Sequence, residues 1–201
     1  MNDPGARAVL SASEHDPIVP PAPHRTVVRR PPRALDNDVL IGDVVVRRLG
    51  DGDSVEQLTT LLHRSYADHA EAGRVFFASY QSVQDTAHRV AGGECWLALR
   101  GPELVGSVTV AAETRVPEEC PAPVGAGFFW QLAVDPALRG RGLGRQLMAL
   151  AEKRIAALGA PQVVIDTSVE AVELVAWYRR RGYAPVGSWR WGVTNYESVG
   201  S

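Results

Sequence analysis

The chain has 201 residues, 45% of them apolar, which suits one domain of ordinary size, or one domain and a tail, around a real core. A formal net charge of −2 and a pI near 6.2 remove any global electrostatic case for nucleic acid or an acidic membrane. Two cysteines suit neither a disulfide scaffold nor a zinc site, no metal is expected, and no apolar run approaches the ~18 residues of a membrane span.

The opening "MNDPGARAVLSASEHDPIVPP" lacks the basic and apolar regions of a secretory signal, so a soluble cytoplasmic protein is expected. Seven of the fourteen prolines precede residue 33. Such a stretch buries too little apolar surface to offset its ordering entropy, so residues 1–38 are expected to form a disordered Pro/Arg-rich tail. Its Arg25, Arg29, Arg30 and Arg33 could touch an acidic partner, but acidic residues balance them over the first 40.

From residue 39 the pattern becomes that of a single folded domain, 39–201. "VVVRRL" (44–49) reads as a strand. In "DGDSVEQLTTLLHRSY", Asp53 or Ser54 can cap a helix with Val55, Leu58, Leu61 and Leu62 on one face. "SVQDTAHRVAGG" is a short helix stopped by Gly92-Gly93. "ECWLALR" and "ELVGSVTVAAE" are strands joined at Gly101-Pro102, with Cys95 as a buried thiol. "VPEECPAPVGAG" is a loop exposing Cys120, and "FFWQLAV" a further strand. The next helix carries Leu143, Leu147, Leu150, Ala151, Ile155 and Leu158 on one face and ends at Gly159. "QVVIDTS" is a strand, and "EAVELVAWYRRRGY" a helix with Ala171, Leu174, Val175 and Tyr178 in register. "APVGSWRW" and "TNYESV" supply the last two strands. The order β-α-α-β-β-β-α-β-α-β-β predicts an α/β fold, a mixed sheet with helices on its faces.

Where "FFWQLAV" gives way to a helix, "VDPALRGRGLGRQLM" holds Gly140, Gly142 and Gly144 among Arg139, Arg141 and Arg145. The P-loop needs Lys-Ser or Lys-Thr after its second glycine, and the dinucleotide fingerprint needs G-x-G-x-x-G; neither is present. The physics of both still applies. A helix N-terminus offers unpaired N–H groups and about half a positive charge, and glycines let an anion approach the backbone. A pyrophosphate would be well served there.

"QLAVDPALRGRGLGRQLM" resembles the acetyl-CoA signature of the GNAT (GCN5-related N-acetyltransferase) superfamily, Arg/Gln-x-x-Gly-x-Gly/Ala, with Arg139, Gly142 and Gly144 in its places. The strand ending Val134-Asp135-Pro136 and the downstream "WYRRRGY" strengthen the likeness, which covers about residues 43–199. The resemblance implies a GNAT-like fold: a mostly antiparallel sheet, flanked by helices, whose fourth and fifth strands splay to admit acetyl-CoA. It implies that Leu132, Ala133 and Val134 bond the pantetheine arm. The pyrophosphate would be held by the amides of Arg139, Gly140, Arg141, Gly142, Leu143, Gly144 and Arg145. The implied reaction is direct acetyl transfer to a primary amine on a small molecule or peptide, with no nucleic acid or membrane partner; a homodimer is compatible.

In the family a tyrosine on the helix after the fifth strand protonates the leaving thiolate, and Tyr178 holds that place. A phenol is protonated at neutral pH and can serve as the acid. Tyr178 also lies on the apolar stripe, so a core tyrosine is the competing reading. Two departures stand out: Ala171 replaces a common Asn, and Gln131 stands on the strand that often carries a basic Glu. Substitute bases are Asp166, Glu94, Glu113 or a water relay, with Asp166 preferred because it ends a strand beside the cleft. Acceptor contacts are expected from Phe76, Phe77, Tyr80, Trp130, Gln131 and Trp191, with Trp189 and Tyr196 nearby; these aromatics suit an apolar or aromatic acceptor, or belong to the core. The missing Glu and Asn also motivate a rival, a CoA-binding regulatory or scaffold module. A longer acyl-CoA as donor is the alternative within catalysis.

Overall fold

β1 (Val39–Ile41) and β2 (Val44–Arg48) form a hairpin that turns at Gly42, whose φ of +63° suits glycine. The computed structural model describes residues 39–112, 122–195 and 197–200; the expected tail, Glu113, Cys120 and Tyr196 lie outside these. α1 (Val55–Glu71) follows, capped by Ser54, whose Oγ accepts the Gln57 N–H at 3.1 Å. α2 (Val83–Ala91) opens with a reciprocal capping box between Ser82 and Asp85. β3 (Glu94–Arg100), β4 (Glu103–Ala111) and β5 (Gly127–Val134) complete an antiparallel run, and α3 (Leu143–Ala157) crosses back to β6 (Val163–Val164). β7 (Asp166–Ser168), α4 (Val172–Arg180), β8 (Gly187–Trp189) and β9 (Ser198–Gly200) end the chain.

The main sheet has the order β1-β2-β3-β4-β5-β6, antiparallel until the parallel β5–β6 pair. Both faces of its centre are buried. Trp96 and Ala98 of β3 join the cluster under α3, with Leu147, Met148 and Ile155; Cys95 and Leu97 point the other way, to Leu58, Leu61 and Leu62 of α1. Gly127 is required by this packing, because a Cβ there would lie 2.2 Å from Ile155 Cγ2.

The α/β class and the element order are as expected, with local differences. A short β1 precedes the first expected strand. "QVVIDTS" is not one strand: it breaks at Ile165, and β6 stays with β5 while β7 pairs with β9 in a second sheet, β7-β9-β8. The final strand begins at Ser198 rather than at Thr194. Leu158, expected on the core stripe, is 40% exposed because α3 ends one residue before it.

That break produces the splay. β5 and β6 pair only through Gly127–Val163 and Phe128–Val164, after which β6 ends and β5 runs on paired with β4 alone. A bulge sharpens the divergence: Ser107 faces Ala133 but Thr109 faces Trp130, so β5 carries one extra residue. Gln131 absorbs it at φ +53°, a left-handed conformation costing a non-glycine residue about 1–3 kcal/mol. Ser107 Oγ donates to the Gln131 carbonyl at 2.9 Å and Thr109 Oγ1 to its Oε1 at 3.2 Å, holding the bulge.

Candidate active site

The exposed edge of β5 follows from its register. Asp135 N–H donates to the Val105 carbonyl at 2.9 Å, so by antiparallel alternation Ala133 is the next residue bonded to β4, through Ser107. The N–H of Val134 therefore points to the opposite edge. A trans peptide also aims its N–H away from its C=O, so the Gln131 carbonyl drawn to Ser107 turns the Leu132 N–H into the splay. Two donors, Leu132 and Val134, thus face a gap that β6 has vacated. Ala133, expected beside them, directs its backbone to β4 instead. The matching carbonyls are held by α1: Tyr66 Oη donates to Leu132 O at 3.0 Å and Ser65 Oγ to Val134 O at 3.1 Å.

The donor track continues into the loop. The Arg139 N–H closes a single turn on the Pro136 carbonyl at 3.2 Å, but among the described residues no backbone N–H from Gly140 through Arg145 has a protein acceptor. Gly140 and Gly142 adopt φ of +75° and +89°, and α3 starts at Leu143 with no side-chain cap. A Cβ on Gly144 would make only ordinary contact, 3.5 Å from Val134 Cγ2, so internal packing leaves that position open to a larger residue. Six consecutive free donors at the start of a 15-residue helix form an anion cradle. The Arg139 side chain does not join it: its guanidinium is bonded to the Ser65 carbonyl, at 2.6 Å, and to the Asp68 carboxylate, both on α1.

On α4, Tyr178 is 7% exposed, edge-on to Trp177 and Tyr183 at 5.1 and 5.9 Å. Burial raises its pKa well above the ordinary tyrosine value, reinforced by Tyr66 and Asp166 and opposed by Arg181, so the phenol keeps its proton. It sits in the core cluster, as the competing reading expected. Asp166, which begins β7 rather than ending a strand, accepts the Trp191 Nε1–H at 2.9 Å. Protein crowds its carboxyl while one side opens to solvent, and this partial desolvation moves its pKa up against the bond from Trp191. Glu94, the other described carboxylate considered as base, is bound at both oxygens by Arg154 at 3.0 Å.

The expected acceptor aromatics have partners of their own. Phe76 packs between Tyr66 and His69, at centroid distances of 5.5 and 4.8 Å, and Phe77 meets Tyr80 edge-on at 5.2 Å. Tyr80 Oη donates to Val193 O at 2.6 Å, while Asn195 bridges the Val75 N–H and the Gly73 carbonyl at 2.8 and 2.9 Å. The α1–α2 loop and the loop before β9 are thereby latched together. Trp130 Nε1–H donates to the Arg89 carbonyl at 3.3 Å. Gln131 stands apart from these acceptor candidates: it is 3% exposed, its side chain engaged beneath the bulge. A groove of about 560 Å³ runs between the end of α1 and α4, lined by His69, Arg74, Ala171, Leu174 and Trp177 among others. Burial, Arg74 and Arg139 hold His69 below the usual histidine pKa against the pull of Asp68.

Sequence reasoning missed Tyr66, Ser65, Arg89 and Asn195. Their partners lie from 41 to 122 residues away, and no local pattern announces such contacts. Among the described residues, no group of three or more His, Cys, Asp or Glu gathers in a metal-binding arrangement, and no helix is long and apolar enough to cross a membrane.

Comparison with known proteins adds to the geometry. The chain is 31% identical over 163 residues to a mycothiol acetyltransferase of Cellulomonas flavigena, covering 79% of this chain but 44% of that protein, so it spans under half of that relative's length. It is 27% identical over 143 residues to the S-(2-succino)cysteine N-acetyltransferase of Bacillus subtilis, covering 70% of this chain and 84% of that one. A Bacillus subtilis acetyltransferase crystallised in complex with CoA shares the fold, with a TM-score of 0.54 and 19% identity over 77% of this chain and 94% of that one. The sequence profile described as the acetyltransferase (GNAT) family matches residues 53–183, from the cap of α1 past the anion loop and Tyr178. The chain belongs to the GNAT acetyltransferase family.

Proposed function

We propose that the protein transfers an acetyl group from acetyl-CoA directly to the primary amine of a small molecule. The observation that carries this reading is two sets of unused donors, Leu132 and Val134 on the strand and the Gly140–Arg145 amides in the loop and first turn after it. Amides of the loop suit a pyrophosphate, and the two strand N–H groups suit the amide and thioester carbonyls of a pantetheine arm. Acetyl-CoA supplies the activated acyl group. The names of the two relatives favour a small acceptor over a protein one, and a thioester-consuming reaction fits the cytoplasm.

The side chains then have distinct tasks. The N–H of Leu132 or Val134 stabilises charge developing on the carbonyl oxygen. Asp166, with its raised pKa, takes a proton from the amine as the N–C bond forms. Tyr178 supplies a proton to the sulfur as the C–S bond breaks, and its elevated pKa keeps that proton available. No carboxylate at position 131 is needed for this scheme.

Thiol release from acetyl-CoA with a broad amine panel tests it. Amine-dependent CoA release is expected. CoA binding by calorimetry without release for any amine would establish the non-catalytic module instead. Tyr178→Phe should lower kcat by about 100-fold or more while acetyl-CoA affinity changes little; an unaltered kcat removes Tyr178 as the acid.

A further inference from the structure

One cation lining the groove between α1 and α4 has no counter-charge. Arg74 follows the turn at Gly73, and its backbone is held firmly: its N–H donates to the His69 carbonyl at 2.9 Å, and Asn195 grips the residues on either side of it. The guanidinium is less well served. Nη2 lies 3.4 Å from His69 Nδ1, and Nε is buried without a partner. Among the described residues, no hydrogen bond or ion pair joins Arg74 to a carboxylate. A guanidinium can only donate, so His69 Nδ1 accepts and offers a lone pair rather than a negative charge. Burial and Arg74 itself favour that neutral imidazole.

A half-buried cation beside a cavity, with no anion to meet it, does nothing for the fold. The cavity of about 560 Å³ has room for a small molecule. Ala171, Leu174 and Trp177 give it an apolar side, and Val172 beside them is 70% exposed. Packing ties both sides to residues of the reaction. The His69 ring is 6.1 Å from that of Tyr66, whose hydroxyl holds the Leu132 carbonyl, and Trp177 is 5.1 Å from Tyr178. Three exposed charges also line the groove, and two of them complement the α4 dipole: Glu173 in its first turn and Arg180 in its last. Arg74 has no such structural task.

A site for a simple amine would have no use for this guanidinium. The amine arrives as an ammonium, which a nearby cation repels. The repulsion turns to attraction if the acceptor carries its own carboxylate, which an arginine meets through paired N–H groups.

We infer that the groove takes an amino acid in the broad sense, a carboxylate-bearing amine with an apolar or aromatic body, and that Arg74 binds its carboxylate. This rests on the acetyltransferase reading above and gives it a substrate class.

The test is kcat/KM for matched pairs differing only in the carboxylate: L-phenylalanine against phenethylamine, L-tryptophan against tryptamine, and 4-(aminomethyl)benzoate against benzylamine, which sets the acid farther from the amine. The wild-type protein should prefer the acid in at least one pair by about 10-fold or more, the scale of one charge-assisted contact, chiefly through KM. Arg74→Gln should bring that ratio near one, and Arg74→Lys, which keeps the charge but not the fork, should leave it between. Amines used as well as their acids in all three pairs overturn the inference without touching acetyl transfer, and need no variant to be seen. A ratio unmoved by Arg74→Gln overturns the role of Arg74. A 10-fold loss of CoA affinity in that variant assigns the guanidinium to the donor and overturns it equally. CoA binding with no thiol release from any pair sinks the acetyltransferase reading and this inference together.

Discussion

Asp166 is a residue held against the interests of folding. Its pKa in the folded protein lies above the ordinary 3.8, chiefly through desolvation. A carboxyl with a raised folded pKa gives its stability at low pH and loses it as pH rises through the folded value. At neutral pH the ionised group therefore destabilises the fold. Asp166→Asn removes the charge and keeps an oxygen for the Trp191 N–H. The variant is expected to melt above the wild type at pH 7.5, with the gap closing toward pH 4, while kcat/KM falls about 100-fold. Equal or lower melting temperatures at pH 7.5 would show that the carboxylate is not strained. Gln131 shows the same economy in the backbone, since its left-handed φ costs stability and frees the Leu132 N–H.

Between elements, the polar link from β3 to α3 works in the opposite sense. Glu94 accepts from Arg154 Nε and Nη2 at 3.0 Å, with both side chains at most 15% exposed and the Arg154 guanidinium 5.6 Å from the Trp96 ring. Burial alone would raise the Glu94 pKa, but the Arg154 bonds and charge, with Arg48, outweigh it and hold the carboxyl below its usual value. Its stabilisation is present above about pH 4.5 and lost as pH falls through the folded pKa. Glu94→Gln should cost about 3 kcal/mol in urea unfolding at pH 7, because it leaves a buried guanidinium short of its counter-charge, and the cost should shrink near pH 3. Elements of this kind were legible in the sequence: the spacing of Leu58, Leu61 and Leu62 and the Ser54 cap define α1, and the glycine spacing marks the start of α3. The break of "QVVIDTS" at Ile165 was not, because every residue in it is compatible with one strand. Only pairing with β9, about 30 residues on, pulls β7 away from β6. The bulge escaped for a related reason, since Gln131 takes a glycine-like φ with no glycine to signal it.

Across the whole molecule, α1 joins the two ends of the donor track. Arg64 holds Asp135 at 2.8 Å, Ser65 and Tyr66 hold the carbonyls of Val134 and Leu132, and Arg139 returns from the anion loop to Ser65 and Asp68. One helix therefore sets the exposed edge of β5 and the glycine loop in a common frame, with Tyr66 and His69 of its last turns packed on Phe76. Its apolar stripe reads as core, and its polar flank does the aligning. Arg139 is the informative residue, because the family signature assigns it to the phosphate loop while its guanidinium is bonded to α1. If it positions the loop from behind, Arg139→Ala should weaken CoA binding by roughly 3- to 10-fold, up to about 1.4 kcal/mol, by relaxing amides that remain available. Saturation of the wild type at 100 times Kd should add about 2.7 kcal/mol to stability, and at the same CoA concentration the variant should retain at least half of that gain. Calorimetric titration together with thermal unfolding measures both quantities on the same samples. A loss of binding beyond about 100-fold would identify Arg139 as a direct phosphate ligand, and α1 would then serve the core without aligning the donor site.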